Sequence, residues 1–63
     1  MLLEALVKKL EGEIAVAKAN IGVYLKHSVG IGEHPDVVEA IESQLNRIVE
    51  ADDKIAAIKK YFS

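Results

Sequence analysis

Large apolar residues recur along the first half of the chain at Leu3, Val7, Leu10, Ile14, Ala17, Ile21 and Tyr24, in alternating steps of 4 and 3. The second half repeats the rhythm at Val37, Ile41, Gln44, Ile48, Ala51, Ile55, Ile58 and Phe62, with Gln44 the one polar interruption. A 4–3 alternation places every marked residue on one stripe of an α-helix and matches the seam of a coiled coil. A second set, Val38, Ile41, Leu45 and Ile48, widens the stripe of the second segment. Between the two lies Ser28-Val29-Gly30-Ile31-Gly32-Glu33-His34-Pro35. Its glycines tolerate positive φ, and Pro35 suits the first turn of a helix. Lys26 and His27 close the first segment and Lys59 and Lys60 the second, where the macrodipole favours cations; Asp36 opens the second, where it favours anions.

The pattern predicts an all-α fold of one domain, residues 1–63. It has a helix over about 2–27, a Gly-rich turn over 28–34 and a helix over about 35–62. Similar helix lengths and a short connection make an antiparallel hairpin. Two helices bury only one stripe each, and the first segment carries more apolar surface than that. Leu2, Leu6, Val16 and Val23 form a second stripe, and Gly12, Ala15, Ala19 and Gly22 a row of small residues. Left bare, such stripes exceed the apolar patches monomers usually carry. The expectation is a homo-oligomeric helix bundle whose interface draws on these eight residues. The same stripes would equally serve a different protein partner.

Composition sharpens this picture. There is no cysteine among 63 residues, so no disulfide or thiolate metal site can hold so small a core. Two Tyr, one Phe and no Trp in a chain that is 51% hydrophobic leave an aliphatic, alanine-rich sequence typical of long helices. The formal charge of −2 lacks the basic excess of a duplex nucleic-acid binder. Glu4, Lys8 and Lys9 interrupt the apolar start, so neither a signal-peptide core nor a spanning helix is expected. The expected setting is cytoplasmic, or the host cytoplasm for a viral protein, without membrane partners. Glu4 with Lys8 and Glu50 with Lys54 stand at i, i+4 and are expected to pair on the helix surface.

Candidate chemistry is sparse. Gly30 and Gly32 can offer backbone N–H groups to an anion beside the start of the second helix, with Glu33 and His34 in the same turn. The competing role for this loop is a rigid turn capped by Glu33 or His34. Lys18 and Asn20 interrupt the apolar half of the first helix. Lys18 either extends to solvent along its stem or meets a polar ligand at a subunit junction; Asn20 either meets that ligand or fixes bundle register. Lys26 and Arg47 are candidate phosphate contacts, with Tyr24 or His27 to stack on a base. Tyr24, Tyr61 and Phe62 otherwise read as core or end caps. No nucleophile with a base and an oxyanion site is legible, and His27 and His34 lack a tight ligand spacing. The chain is expected to be no enzyme and to need no metal or cofactor.

The run Tyr24-Leu25-Lys26-His27-Ser28-Val29-Gly30-Ile31-Gly32-Glu33-His34-Pro35-Asp36 resembles the VGIGEH turn of small two-helix proteins of T4-like tailed bacteriophages. The ending, from Glu50-Ala51-Asp52-Asp53-Lys54 to Tyr61-Phe62, is similar too. In size, helical make-up and viral origin such proteins are similar to the anti-CBASS cyclic-oligonucleotide sponges. That likeness implies a small oligomer that sequesters an anionic nucleotide messenger by binding alone, evading host antiviral defence. The alternative is a structural or adaptor hairpin that mediates protein–protein assembly.

Overall fold

The structure, a computed structural model, describes residues 1–27 and 34–63, with the side chains of His34 and Pro35 outside that description. Helix α1 runs Leu2–His27 and helix α2 His34–Phe62. The two pack side by side as an antiparallel hairpin 47 Å long and 14 × 11 Å across. Its length is that of a single helix, since 29 residues at 1.5 Å rise make about 44 Å. Among the described residues there is no strand, and no helix is long and apolar enough to cross a membrane.

The 4–3 seam is what holds the helices together. Among the described residues, Leu10 and Ala17 of α1 and Ala51 and Ile55 of α2 are buried. Leu10, Ala51 and Ile55 form one cluster, and Ile14 and Ile58 pack against it. The remaining inner seam positions, Val7, Ile21, Tyr24, Val37, Ile41, Gln44 and Ile48, are half-buried. Ala17 and Ala51 are the most completely covered of the four.

Among the described residues one side-chain polar contact crosses the seam. The Asn20 side-chain amide donates to the Gln44 amide oxygen over 3.1 Å, with both residues partly buried. The interruption of the apolar run at Gln44 is thus matched by Asn20 on the other helix, and no described polar side-chain atom is buried without a partner. The pair also fixes the levels of the two helices. Val16, four residues before Asn20, lies level with Ile48, four after Gln44, and Leu2 lies level with Phe62.

That register explains where the seam fails. Tyr61 and Phe62 are 68% and 70% exposed, not core residues or packed end caps. Phe62 occupies a seam position, and Leu2, level with it on α1, is itself 89% exposed and does not cover it. The expected widening of α2 fails in the same way. Ile41 and Ile48 are half-buried, but Val38 and Leu45 are 64% and 50% exposed, because a single neighbouring helix covers one stripe and no more.

The surface ion pairs also differ from expectation. Glu4 takes the N-terminal ammonium at 3.7 Å and Lys9 pairs with Glu13 at 3.3 Å, while neither Glu4–Lys8 nor Glu50–Lys54 forms. Exposed pairs of this kind gain only a few tenths of a kcal/mol, so side-chain entropy and alternative partners decide among them.

Candidate functional site

The hairpin has two long faces, one on either side of the seam. In an antiparallel pair, the residues that precede the seam on both helices fall on the same face, and those that follow it fall on the other. The preceding face carries an open groove of about 610 Å³, lined by Lys9, Gly12, Glu13, Val16, Arg47, Glu50, Ala51 and Lys54. Lys9, Glu13, Val16, Arg47, Glu50 and Lys54 each stand one residue before a seam position. Ala51, a seam residue, is the floor. Gly12 keeps one wall low, since a Cβ there would meet nothing within 4 Å. The same flank continues through Leu2 and Leu6 at the open end of the hairpin and through Asn20 and Val23 towards the turn.

The charges of the groove face their own kind. Counting from the Asn20–Gln44 pair, Lys9 lies level with Ile55, next to Lys54, and Glu13 lies level with Ala51, next to Glu50. By this count each groove charge has its own kind nearest on the opposite wall, with Lys54 about one turn from Glu13, and no ion pair among the described residues spans the helices. Lys9 instead pairs with Glu13 along its own helix, at 69% and 48% side-chain exposure. Arg47, Glu50 and Lys54 have no ion-pair partner among the described residues. Three cations and two carboxylates give the groove a local charge of +1 on a chain of net −2.

The sequence-predicted ligand residues do not gather in one place. Arg47 alone lies in the groove. Lys18 is exposed and stands two residues from Val16, which turns it about 160° away, to the far side of α1. Lys26 and His27 are exposed at the end of α1, and Tyr24 is a half-buried seam residue. Asn20 is engaged with Gln44 of its own chain. Gly30, Gly32 and Glu33 lie outside the described residues, as does the side chain of His34. Among the described residues no group of three or more His, Asp and Glu is placed to hold a metal ion.

The predicted interface residues divide by face. Gly12 and Val16 line the groove, and Leu2, Leu6 and Val23 flank it, at 89%, 39% and 56% exposure. Ala15, Ala19 and Gly22 are exposed elsewhere on α1, and a Cβ on Gly22 would also meet open space. Lys9, Glu13, Glu50 and Lys54 escaped the sequence reading as groove residues. Their signal was available: each precedes a seam residue, and antiparallel pairing brings those flanks together. The opposite face carries Leu25, Val38, Leu45 and Val49, all at least half exposed and each one residue after a seam position.

No known protein family, curated protein or solved structure matches this chain. The functional reading therefore rests on the hairpin's own surface.

Proposed function

We propose that this chain is a self-assembling helical hairpin, a structural or adaptor module that acts by protein–protein contact and not by catalysis. One observation carries the reading: among the described residues four are buried, whereas twelve large hydrophobic side chains are exposed. The surface area gives the same answer. The chain exposes 5029 Å², where a compact monomer of 6.9 kDa exposes about 4000 Å². Its radius of gyration is 14.7 Å, against about 11 Å for a compact domain of 63 residues. The excess of about 1000 Å² is close to the roughly 800 Å² that each partner contributes to a standard interface. Association would supply the core that two helices lack. Folding is then linked to concentration, and the unfolding midpoint rises with protein concentration. A midpoint unchanged over a hundredfold dilution, measured by circular dichroism, contradicts the reading.

The groove supports a second reading, sequestration of a small anionic ligand such as a nucleotide messenger. Its support is the cluster of Lys9, Arg47 and Lys54 on an otherwise acidic chain. A volume near 610 Å³ falls within the range of small-molecule sites, but such sites enclose most of their ligand, and this groove is open along one side. A ligand would need walls from another copy, so this reading also depends on assembly. With two Tyr and no Trp, the protein absorbs weakly at 280 nm, and a retained nucleotide dominates the spectrum at 260 nm. Purified oligomer with no excess at 260 nm, and no thermal shift with cyclic nucleotides, removes the second reading and leaves the first standing.

A further inference from the structure

We infer that the groove is filled by a second copy of this chain, packed face to face and antiparallel about a twofold axis that passes through Val16. The inference rests on the self-assembly reading above and adds the face, the symmetry and the register. Charge placement selects the symmetry. Two hairpins laid groove to groove can be related by a twofold axis in two ways. If the axis runs along the rods, α1 of each copy lies over α2 of the other at the same level. Lys9 then meets Lys54 and Glu13 meets Glu50, repeating across the interface the like-charge opposition already present inside one groove. Opposed like charges penalise that arrangement.

If the axis instead runs across the rods, α1 lies over α1 and α2 over α2, with directions reversed. The best level for that axis can be read from the groove. Arg47 and Glu50 are three residues apart, about 4.5 Å along α2. An axis midway between them sets Arg47 of each copy opposite Glu50 of the other, twice. That midpoint is beside Ile48, level with Val16, so the two Val16 side chains, 59% exposed in the single hairpin, meet on the axis. The remaining positions then follow from the helix rise. Lys54 falls opposite Ser43, Lys9 opposite Val23 with its stem along that side chain, Glu13 near Ala19 and Asn20, and Ala57 opposite Ala40. Leu6 covers the turn that holds Val23 and His27, and Tyr61 reaches Asp36. No like charges meet, and the apolar flank of α1 is covered from Leu6 to Val23. Gly12 lets the two backbones approach beside the central valines, because nothing stands over it.

The chain has no cysteine, so single-cysteine variants report this geometry without background. Val16→Cys is expected to form a covalent dimer under mild copper-phenanthroline oxidation, because side chains facing each other across a twofold axis approach disulfide distance. Lys18→Cys, pointing to the far side, is expected to stay uncrosslinked under the same conditions. Arg47→Glu and Glu50→Arg should each weaken the dimer about tenfold, since each change is felt twice across the axis, and the double variant should recover affinity. All four positions are exposed, so helicity by circular dichroism should be unchanged. Crosslinking at Val16→Cys together with rescue by the double charge swap supports the arrangement. A wild-type dimer in which Val16→Cys fails to crosslink, or crosslinks no better than Lys18→Cys, overturns the proposed face while leaving self-assembly intact. A wild-type chain that stays monomeric overturns both.

Discussion

The two halves of the seam are built on different chemistry. Towards the open end, Leu10, Ala51 and Ile55 form a dry cluster with Ile14 and Ile58 against it. Towards the turn, the middle of the seam is the Asn20–Gln44 amide pair, partly buried and 3.1 Å long. The first half contributes the larger share of packing energy, because burial of aliphatic area is non-directional and scales with area. The second contributes little net energy but fixes position, because an amide pair is satisfied in only one register and leaves unmet groups in any other. A seam made only of aliphatic residues could slip by a heptad. This one pairs its single polar position on α2 with a polar residue on α1.

Cutting into the packed half should have the largest effect. Leu10→Ala truncates the more deeply buried of the two large side chains in the cluster, and substitutions of this type cost about 2–5 kcal/mol. With so few buried residues, loss of most helical circular dichroism at 25 °C is expected, and a shift in the midpoint of less than a few degrees would show that the cluster is not the seat of stability. Ala51→Leu tests the same half from the opposite direction. Ala51 is 1% exposed, and forcing extra methylenes into a fully covered position costs about 1–3 kcal/mol. A gain in urea midpoint would mean that the helices can move apart without penalty.

The polar half should respond less strongly and in a different manner. Asn20→Ala or Gln44→Ala leaves a partly buried amide without its partner, at about 1 kcal/mol each. In a double-mutant cycle the two losses should not add, and an interaction energy near zero would mean that the pair is incidental. Replacing both with leucine should leave stability equal or higher while loosening register, detectable as broadened or doubled amide resonances. The smallest effect is expected outside the seam altogether. Gly22→Ala should stabilise by about 0.5–1 kcal/mol, because the added methyl group meets open space and improves helix propensity. A loss would reveal a packed partner on that side of α1.

The seam was legible in the sequence because a 4–3 alternation has one structural meaning over six or seven steps. The polar crossing was only half legible. Gln44 stood out as a break in a stripe, and Asn20 as a polar residue in an apolar helix, but their pairing depends on the vertical register of the helices, which periodicity does not set. The ends were misread for a related reason. Phe62 keeps perfect phase, yet phase says nothing about where the neighbouring helix begins. The groove was hidden because Lys9, Glu13, Arg47, Glu50 and Lys54 look like ordinary surface charges on either helix alone. Only antiparallel pairing puts them on one face. Ligand candidates such as Lys18 and Arg47 seemed combinable in a linear reading, and the helical turn between Val16 and Lys18 separates them within one hairpin.

The account stands on the claim that one hairpin cannot cover its own apolar surface. Sedimentation equilibrium of the purified protein across roughly one to several hundred micromolar tests it most directly, since typical self-association of a standard interface falls within or below that range. The expected result is a mass of at least twice the 6.9 kDa chain over most of the series, dissociating only towards the dilute end. A folded, fully helical species of 6.9 kDa at every concentration would contradict it.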